Sequence, residues 1–129
     1  MKHINNHKYL IDTDILIDHL RGKTNISSIV GNFTDNICYV SVISVAEIYS
    51  FLFTQEYQAV DELLKIMTVI NIDALMAKTA GQYRMIYYKS HNLTIPDALI
   101  AATAKINGAA LITRNIRHFP MDDIKKICP

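Results

Sequence analysis

Three acidic residues stand in stretches that otherwise avoid charge, and they are where this chain most plainly offers chemistry. Between residues 36 and 55 the only charged side chain is Glu47, and between residues 90 and 104, with His91 neutral, the only one is Asp97. Charged side chains are almost never fully buried unless paired, so an acid set alone in an apolar stretch looks into a polar site. Asp12 completes the set. It ends the first apolar run, at the carboxyl end of a strand, where an open parallel sheet places its ligands.

Helix chemistry offers a plainer account of each acid. Ser44-x-x-Glu47 has the form of a capping box. Asp97 in a first helical turn suits the helix dipole. Asp12 would serve the turn before the first helix, and Asp14 reads as that helix's N-cap rather than as a ligand. The joint pattern argues for a site, because all three acids fall at a strand end or in the first turn of the next helix, where one cleft would gather them. Four carboxylates (Asp12, Asp14, Glu47, Asp97) about 6 Å apart would repel one another by roughly 15 kcal/mol in total at an effective dielectric of 20. That rivals the stability of a whole domain. Either some protons stay on, or a divalent cation is present. Oxygen ligands without cysteine or a histidine pair point to Mg²⁺ or Mn²⁺ rather than zinc. Carboxylate-held Mg²⁺ suits in-line displacement at a phosphodiester by metal-activated water.

The segment Thr113-Arg114-Asn115-Ile116-Arg117-His118-Phe119 supplies complementary groups. Thr113 and Asn115 bring neutral oxygens to another strand end, and Arg114, Arg117 and His118 bring donors for a phosphate backbone. A surface turn with solvated arginines is the plainer reading. His3, His7, His19 and His91 share no ligand spacing.

These groups need elements to hold them. Residues 9–12 form a strand, and Ile15, Leu16, Ile17 and Leu20 a helical stripe that stops at Gly22. A second helix is expected over 25–33, a buried strand over 37–41, and a helix from Ser44 to about Phe53. Helix over 56–67, strand over 68–73 and helix over 74–89 follow. After a loop at 91–95, residues 96–107 read as a helix, with Pro96 in its first turn and Gly108 at its stop. A buried strand at 109–113 and a weak one near 125–128 end the chain. Strands alternating with helices predict a parallel sheet covered on both faces.

Composition narrows the classes. The chain has 129 residues, half of them hydrophobic, and 13 basic against 12 acidic residues, for a net charge of +1. One domain over 1–129 is expected, able to fold without disulfides or a structural metal. Neither a strongly basic nor an acidic surface advertises a partner. Cys38 and Cys128 match no zinc spacing, and residues 1–10 lack the apolar core of a secretory signal. Every apolar run is broken well before the roughly 18 residues of a membrane helix. A soluble, cytoplasmic protein with free thiols is the expectation.

With the motifs assembled, the chain resembles the PIN-domain ribonucleases, and among them the VapC-type toxins of type II toxin-antitoxin pairs. The stretches that carry the resemblance are YLIDTDILID (9–18), SVISVAEI (41–48), IPDALIAATA (95–104) and LITRNIRHF (111–119), in the family's order and spanning a core of about 8–129. The resemblance implies a three-layer α/β/α sandwich around a central parallel sheet and a Mg²⁺-dependent endoribonuclease. By position, Asp12 and Asp97 would be the principal metal ligands and Glu47 the third, direct or through water. Asn115 falls where the family has Asp or Asn, which leaves one-metal or two-metal catalysis open. Thr113 would hydrogen-bond a ligand or water, Asp14 would act behind the ligands or as a cap, and Arg114 or Arg117 would position RNA.

A cognate antitoxin protein and a homodimeric state are implied as well. Tyr49, Phe51, Phe53 and Tyr57, then Tyr83, Tyr87 and Tyr88, offer either a partner surface or core packing. Asp122 and Asp123 are expected in solvent. The alternative is a PIN-like domain that binds RNA or a protein without cutting it, which the neutral Asn115 permits. A phosphoacceptor receiver domain fits the length, but it needs a late lysine at a strand end, where this chain has Thr113-Arg114.

Overall fold

The computed structural model describes residues 7–31 and 36–129. Five strands, β1 (Lys8–Ile11), β2 (Ile37–Ser41), β3 (Thr68–Ile70), β4 (Ala110–Ile112) and β5 (Lys126–Ile127), form one parallel sheet in the order β3-β2-β1-β4-β5. The helices are α1 (Thr13–Leu20), α2 (Ile26–Val30), α3 (Val42–Phe51), α4 (Tyr57–Lys65), α5 (Ala74–His91) and α6 (Ile95–Asn107). Short 3-10 turns occupy Thr54–Glu56 and Ile116–His118.

Alternation along the central strands divides the core in two. Leu10 stands opposite Tyr39 and Leu111, and this face packs against Ala80 and Tyr83 of α5 and Ala98, Ala101 and Ala102 of α6. The run of alanines keeps α6 thin on its buried side. Ile11 stands opposite Ile112, and this other face meets Ile15 and Leu16 of α1, Ile48 of α3, and Val60 and Leu63 of α4. Parallel strands buried on both faces read as unbroken apolar runs, as these do. The result is the expected three-layer sandwich.

Local chemistry sets the boundaries, and several differ from the sequence expectation. α3 begins at Val42, not Ser44, because Ser41 both ends β2 and caps the helix, its Oγ accepting from the Ile43 N–H at 3.0 Å. The strand expected over 68–73 is only three residues long, because Asp73 turns to cap α5 and accepts from the Met76 N–H at 2.9 Å. α2 ends at Val30, where Gly31 takes φ +79°, a conformation few other residues adopt; Phe33 lies outside the described residues, as does His3. α4 starts one residue late, after a 3-10 turn, and α5 runs on to His91. His19 holds a neighbouring helix, its Nδ1 accepting from the Ile26 N–H at 3.0 Å. Lys126 on β5 donates from Nζ to the carbonyls of Phe119 and Met121 at 2.8 and 2.9 Å, which secures the crossover from β4.

Both cysteines are free, Cys38 buried and Cys128 exposed. No helix among the described residues is long and apolar enough to cross a membrane. Ile112 is fully buried at the centre of the sheet, so Ile112→Ala should lower unfolding free energy by about 2 to 5 kcal/mol in urea titrations. A loss below about 1 kcal/mol would contradict the packing described.

Candidate active site at the sheet's switch point

From β1 the sheet grows outward through β2 and β3, then returns to add β4 and β5 on the other side. The crevice between β1 and β4, beyond their carboxyl ends, is the place where such sheets bind ligands. Asp12 follows β1 directly and Thr113 follows β4 directly. The Asp12 N–H extends the ladder to the Ile112 carbonyl at 3.0 Å, and the Thr113 N–H reaches that of Ile127 at 3.0 Å. Across the crevice the Thr113 hydroxyl donates to Asp12 Oδ2 at 2.8 Å, while Asp12 Oδ1 accepts from the Thr13 N–H at 2.9 Å. Thr113 is fully buried and Asp12 only 6% exposed.

Asp12, and not Asp14, caps α1. Asp14 sits in the first turn of that helix and reaches across the cleft. Its Oδ1 accepts from the Ile15 N–H at 2.8 Å, and its Oδ2 accepts from the Arg114 N–H at 3.0 Å and from Asn115 Nδ2 at 3.3 Å. Asn115 is also held by its own N–H on the Thr113 hydroxyl at 3.0 Å. The side chains at the two strand ends thus form one network.

Glu47 does not belong to a capping box. With α3 starting at Val42, it lies in the second helical turn, and its Oε1 accepts from the Thr13 hydroxyl at 2.8 Å. Thr13 therefore serves both acids, its N–H on Asp12 and its hydroxyl on Glu47. Sequence reasoning missed Thr13; its position between two acids in Asp-Thr-Asp was the signal available. The Ser44 hydroxyl, one turn before Glu47, is buried and has no partner among the described residues. Asp97 enters from the first turn of α6, where Thr94 caps the helix and its Oγ1 accepts from the Asp97 N–H at 3.3 Å. The Asp97 carboxylate lies 3.6 Å from His118 Nδ1.

Electrostatics register the crowding. Burial first, then the charge of Asp14 and more weakly that of Asp97, push the Asp12 carboxyl up to about 7, against the hydrogen bonds from Thr113 and Thr13. Burial also raises Asp97, with Asp14 adding to it, while His118 and Thr94 oppose. Two clefts meet at His118. One of about 150 Å³ is lined by Thr94, Asp97 and His118, and one of about 610 Å³ by Arg114, Asn115, Arg117 and His118.

The two arginines differ. Arg114 is paired with Asp18, one turn beyond Asp14 on α1, whereas Arg117 is exposed and makes no ion pair among the described residues. Asp18 was not recognised in the sequence because it reads as part of a solvated helix face. Asp122 is exposed. Asp123 accepts from the Tyr83 hydroxyl at 2.7 Å, pairs with Lys105, and lines a separate cleft of about 510 Å³ with Lys8 and Lys125. It does not reach the acids at the switch point.

The donor set is all oxygen, and Mg²⁺ characteristically takes one or two protein carboxylates, keeps several waters and shares substrate phosphates. Among the described residues no three His, Cys, Asp or Glu side chains converge closely enough to enclose an ion by themselves. Mutual repulsion and burial, which keep Asp12 and Asp97 high, are the conditions a divalent cation relieves. An all-oxygen donor set suits a hard divalent cation better than zinc, and among the described residues it forms no closed cage.

Comparison with known proteins places this arrangement in a family context. The family model described as PIN domain matches residues 9–124. Ribonuclease VapC10 of Mycobacterium tuberculosis (strain ATCC 25618 / H37Rv) is 38% identical over 114 residues, which cover 87% of this chain and 86% of that protein. Ribonuclease VapC19 of the same strain is 30% identical over 115 residues, 87% of this chain and 92% of that protein. The crystal structure of VapBC2 from Rickettsia felis, bound to a DNA fragment from their promoter, contains a chain that superposes with a TM-score of 0.79. That chain is 23% identical, and the match covers 93% of this chain and 97% of that one.

A carboxyl raised in the folded state binds its proton more tightly there than in the unfolded chain. Asp12 therefore supports folding fully below about pH 4, and that support is lost as pH rises through about 7. In chelator, unfolding free energy should fall by up to about 4 kcal/mol between those limits, and Asp12→Asn should flatten the fall. A wild-type profile that is level over this range would refute the buried, crowded carboxyl. Arg114→Ala and Asp18→Ala should show a coupling of about 1 kcal/mol in a double-mutant cycle. Arg117→Ala should leave stability within about 0.5 kcal/mol of wild type.

Proposed function

This chain belongs to the PIN domain family, and we propose that it is a divalent-metal-dependent endoribonuclease, the VapC-type toxin of a type II toxin-antitoxin pair. The observation that carries the reading is the buried Asp12 at the β1/β4 switch point, raised to about 7 by burial and by the charges of Asp14 and Asp97. Identity to ribonucleases VapC10 and VapC19 supports the same activity.

In this reading Asp12 and Asp97 hold Mg²⁺ or Mn²⁺, and Glu47 is the third carboxylate, binding directly or through water. Such an ion, when bound, lowers the pKa of water and neutralises charge on the departing oxygen. Thr113 keeps one Asp12 oxygen oriented and leaves the remaining lone pairs of both oxygens to the cleft. Thr13 does the same for Glu47. Asn115 lines the larger cleft, and its side-chain oxygen is the end not bonded to Asp14. Arg117, which has no ion-pair partner among the described residues, positions the RNA backbone, while Arg114 contributes mainly by bracing that loop against α1. His118 beside Asp97 adds a donor where the two clefts join.

An antitoxin protein is the proposed partner, on the analogy of the VapBC2 complex. Phe51 and Phe53, 65% and 67% exposed, and the less exposed Tyr57 form an apolar surface at the end of α3 suited to it. Met85, Tyr88 and Ile95 line a second exposed surface on α5 and the start of α6 that suits a homodimer. Tyr83 instead belongs to the core. The proposed location is the cytoplasm, and residues 1–129 act as one nuclease domain. The neutral Asn115 keeps a second reading in view, a PIN-like domain that binds RNA or protein without cleavage.

Purified protein should cut RNA with Mg²⁺ or Mn²⁺ and stop when EDTA is added. Asp97→Asn should reduce cleavage by at least about 10²-fold while leaving the circular dichroism spectrum unchanged. Arg117→Ala should raise KM for RNA with little change in kcat. No metal binding at millimolar concentration by calorimetry, together with intact RNA binding, would favour the non-cleaving domain instead.

A further inference from the structure

Asp14 and Asn115 face each other from α1 and from the loop after β4, and their bonding is asymmetric. Asp14 Oδ1 is committed to its own helix through the Ile15 N–H. Its Oδ2 receives two donors from the opposite loop, the Arg114 N–H at 3.0 Å and Asn115 Nδ2 at 3.3 Å. One turn further along α1, Asp18 takes the Arg114 guanidinium. The loop is thus fastened to α1 by two acids, and Asn115 is the residue of that loop that both bonds Asp14 through its side chain and lines the larger cleft.

We propose that Asp14 is a positioning residue that orients the Asn115 amide and obliges residue 115 to be an uncharged donor. A carboxylate has only acceptor sites, whereas an amide has a donor end and an acceptor end. With Nδ2 turned to Asp14, the Asn115 oxygen is the end left for the cleft. A carboxylate at 115 would replace the Nδ2 donor by an acceptor-only group and set two like charges against each other, with the Arg114 N–H alone still donating to Asp14 from that loop. The charge of Asp14 also acts on both Asp12 and Asp97. The acidic group of this facing pair therefore sits on α1, and its partner in the loop after β4 is neutral. In this chain the identities at 14 and 115 are a matched pair rather than two independent choices.

Four proteins test this: wild type, Asp14→Asn, Asn115→Asp and the double variant. Only the cleavage arm rests on the nuclease reading; the thermal and spectroscopic arms are run in EDTA without RNA. In EDTA, Asn115→Asp should lower Tm by about 3 to 6 °C. In the Asp14→Asn background the same change should lower it by less than half as much, because the like-charge contact is then absent. The Asn115 side-chain amide signals in ¹⁵N–¹H spectra should shift in Asp14→Asn. With Mn²⁺ and a single-stranded RNA, Asn115→Asp should cut about tenfold more slowly, and the double variant should recover several-fold.

Additive Tm shifts, or amide signals that do not move in Asp14→Asn, would overturn the pairing. If Asn115→Asp does not fold, folding of the double variant supports the proposal. Failure of the double variant while Asp14→Asn folds rejects it. Failure of wild type itself to cut RNA would count against the nuclease reading, and the EDTA arms would still decide the pair.

Discussion

The structure turns on one bond, the Thr113 hydroxyl on the Asp12 carboxylate across the gap between β1 and β4. A carboxylate with almost no exposure loses several kcal/mol of hydration when ionised, and stays buried only if donors replace the water. Thr113 and the Thr13 N–H are those donors, the first arriving from the end of β4 and the second from the first residue of α1. Their placement depends on the register: Ile11 pairs with Ile112, so the residues after each strand emerge side by side. A slip of one residue would exchange the two faces of a strand and move the hydroxyl away from the acid.

The remainder of the fold can be understood as what keeps that register in place. Leu10 and Leu111 lie together in the core under α5 and α6, and Ile11 and Ile112 in the core under α1, α3 and α4. Both faces of the central strands are therefore fixed by packing, and the strand ends have little freedom. Thr13 links the first acid to Glu47 through its two donors, so α1 and α3 are joined at the cleft as well as in the core. The cleft has a rigid β1/β4 floor, and its more exposed groups come from the loop after β4 and the first turn of α6. Asp14, Asp18 and Lys126 hold that loop from two sides.

Much of this was legible in the sequence because burial leaves a compositional trace. β2 matches its expected bounds and β1 and α6 differ by a residue; of the two isolated acids, Asp97 lines a cleft and Glu47 accepts the Thr13 hydroxyl. What escaped was whatever depends on partners far along the chain. Ser41 and Ser44 are equally good caps locally; only the end of β2 selects Ser41, and that choice removes Glu47 from a capping role and frees it for Thr13. Asp14 resembles a cap as much as Asp12 does until β4 brings the Arg114 N–H to it. Asp18 and Arg114 lie near opposite ends of the chain, and neither advertises the other. Asp123 stays outside the site, as expected, although its actual partners, Tyr83 and Lys105, could not have been named from local sequence.

The sheet's two outer strands are short, β3 with three residues and β5 with two. Open strand edges invite another chain to extend the sheet, and short ones offer too few backbone groups to template it. On β5 the Lys126 side chain is also turned inward to the loop carbonyls. Recognition by strand addition is thereby disfavoured at both edges. The surface such edges leave for contact is that of side chains on the helical layers, which is read by shape and residue identity rather than by a generic backbone ladder.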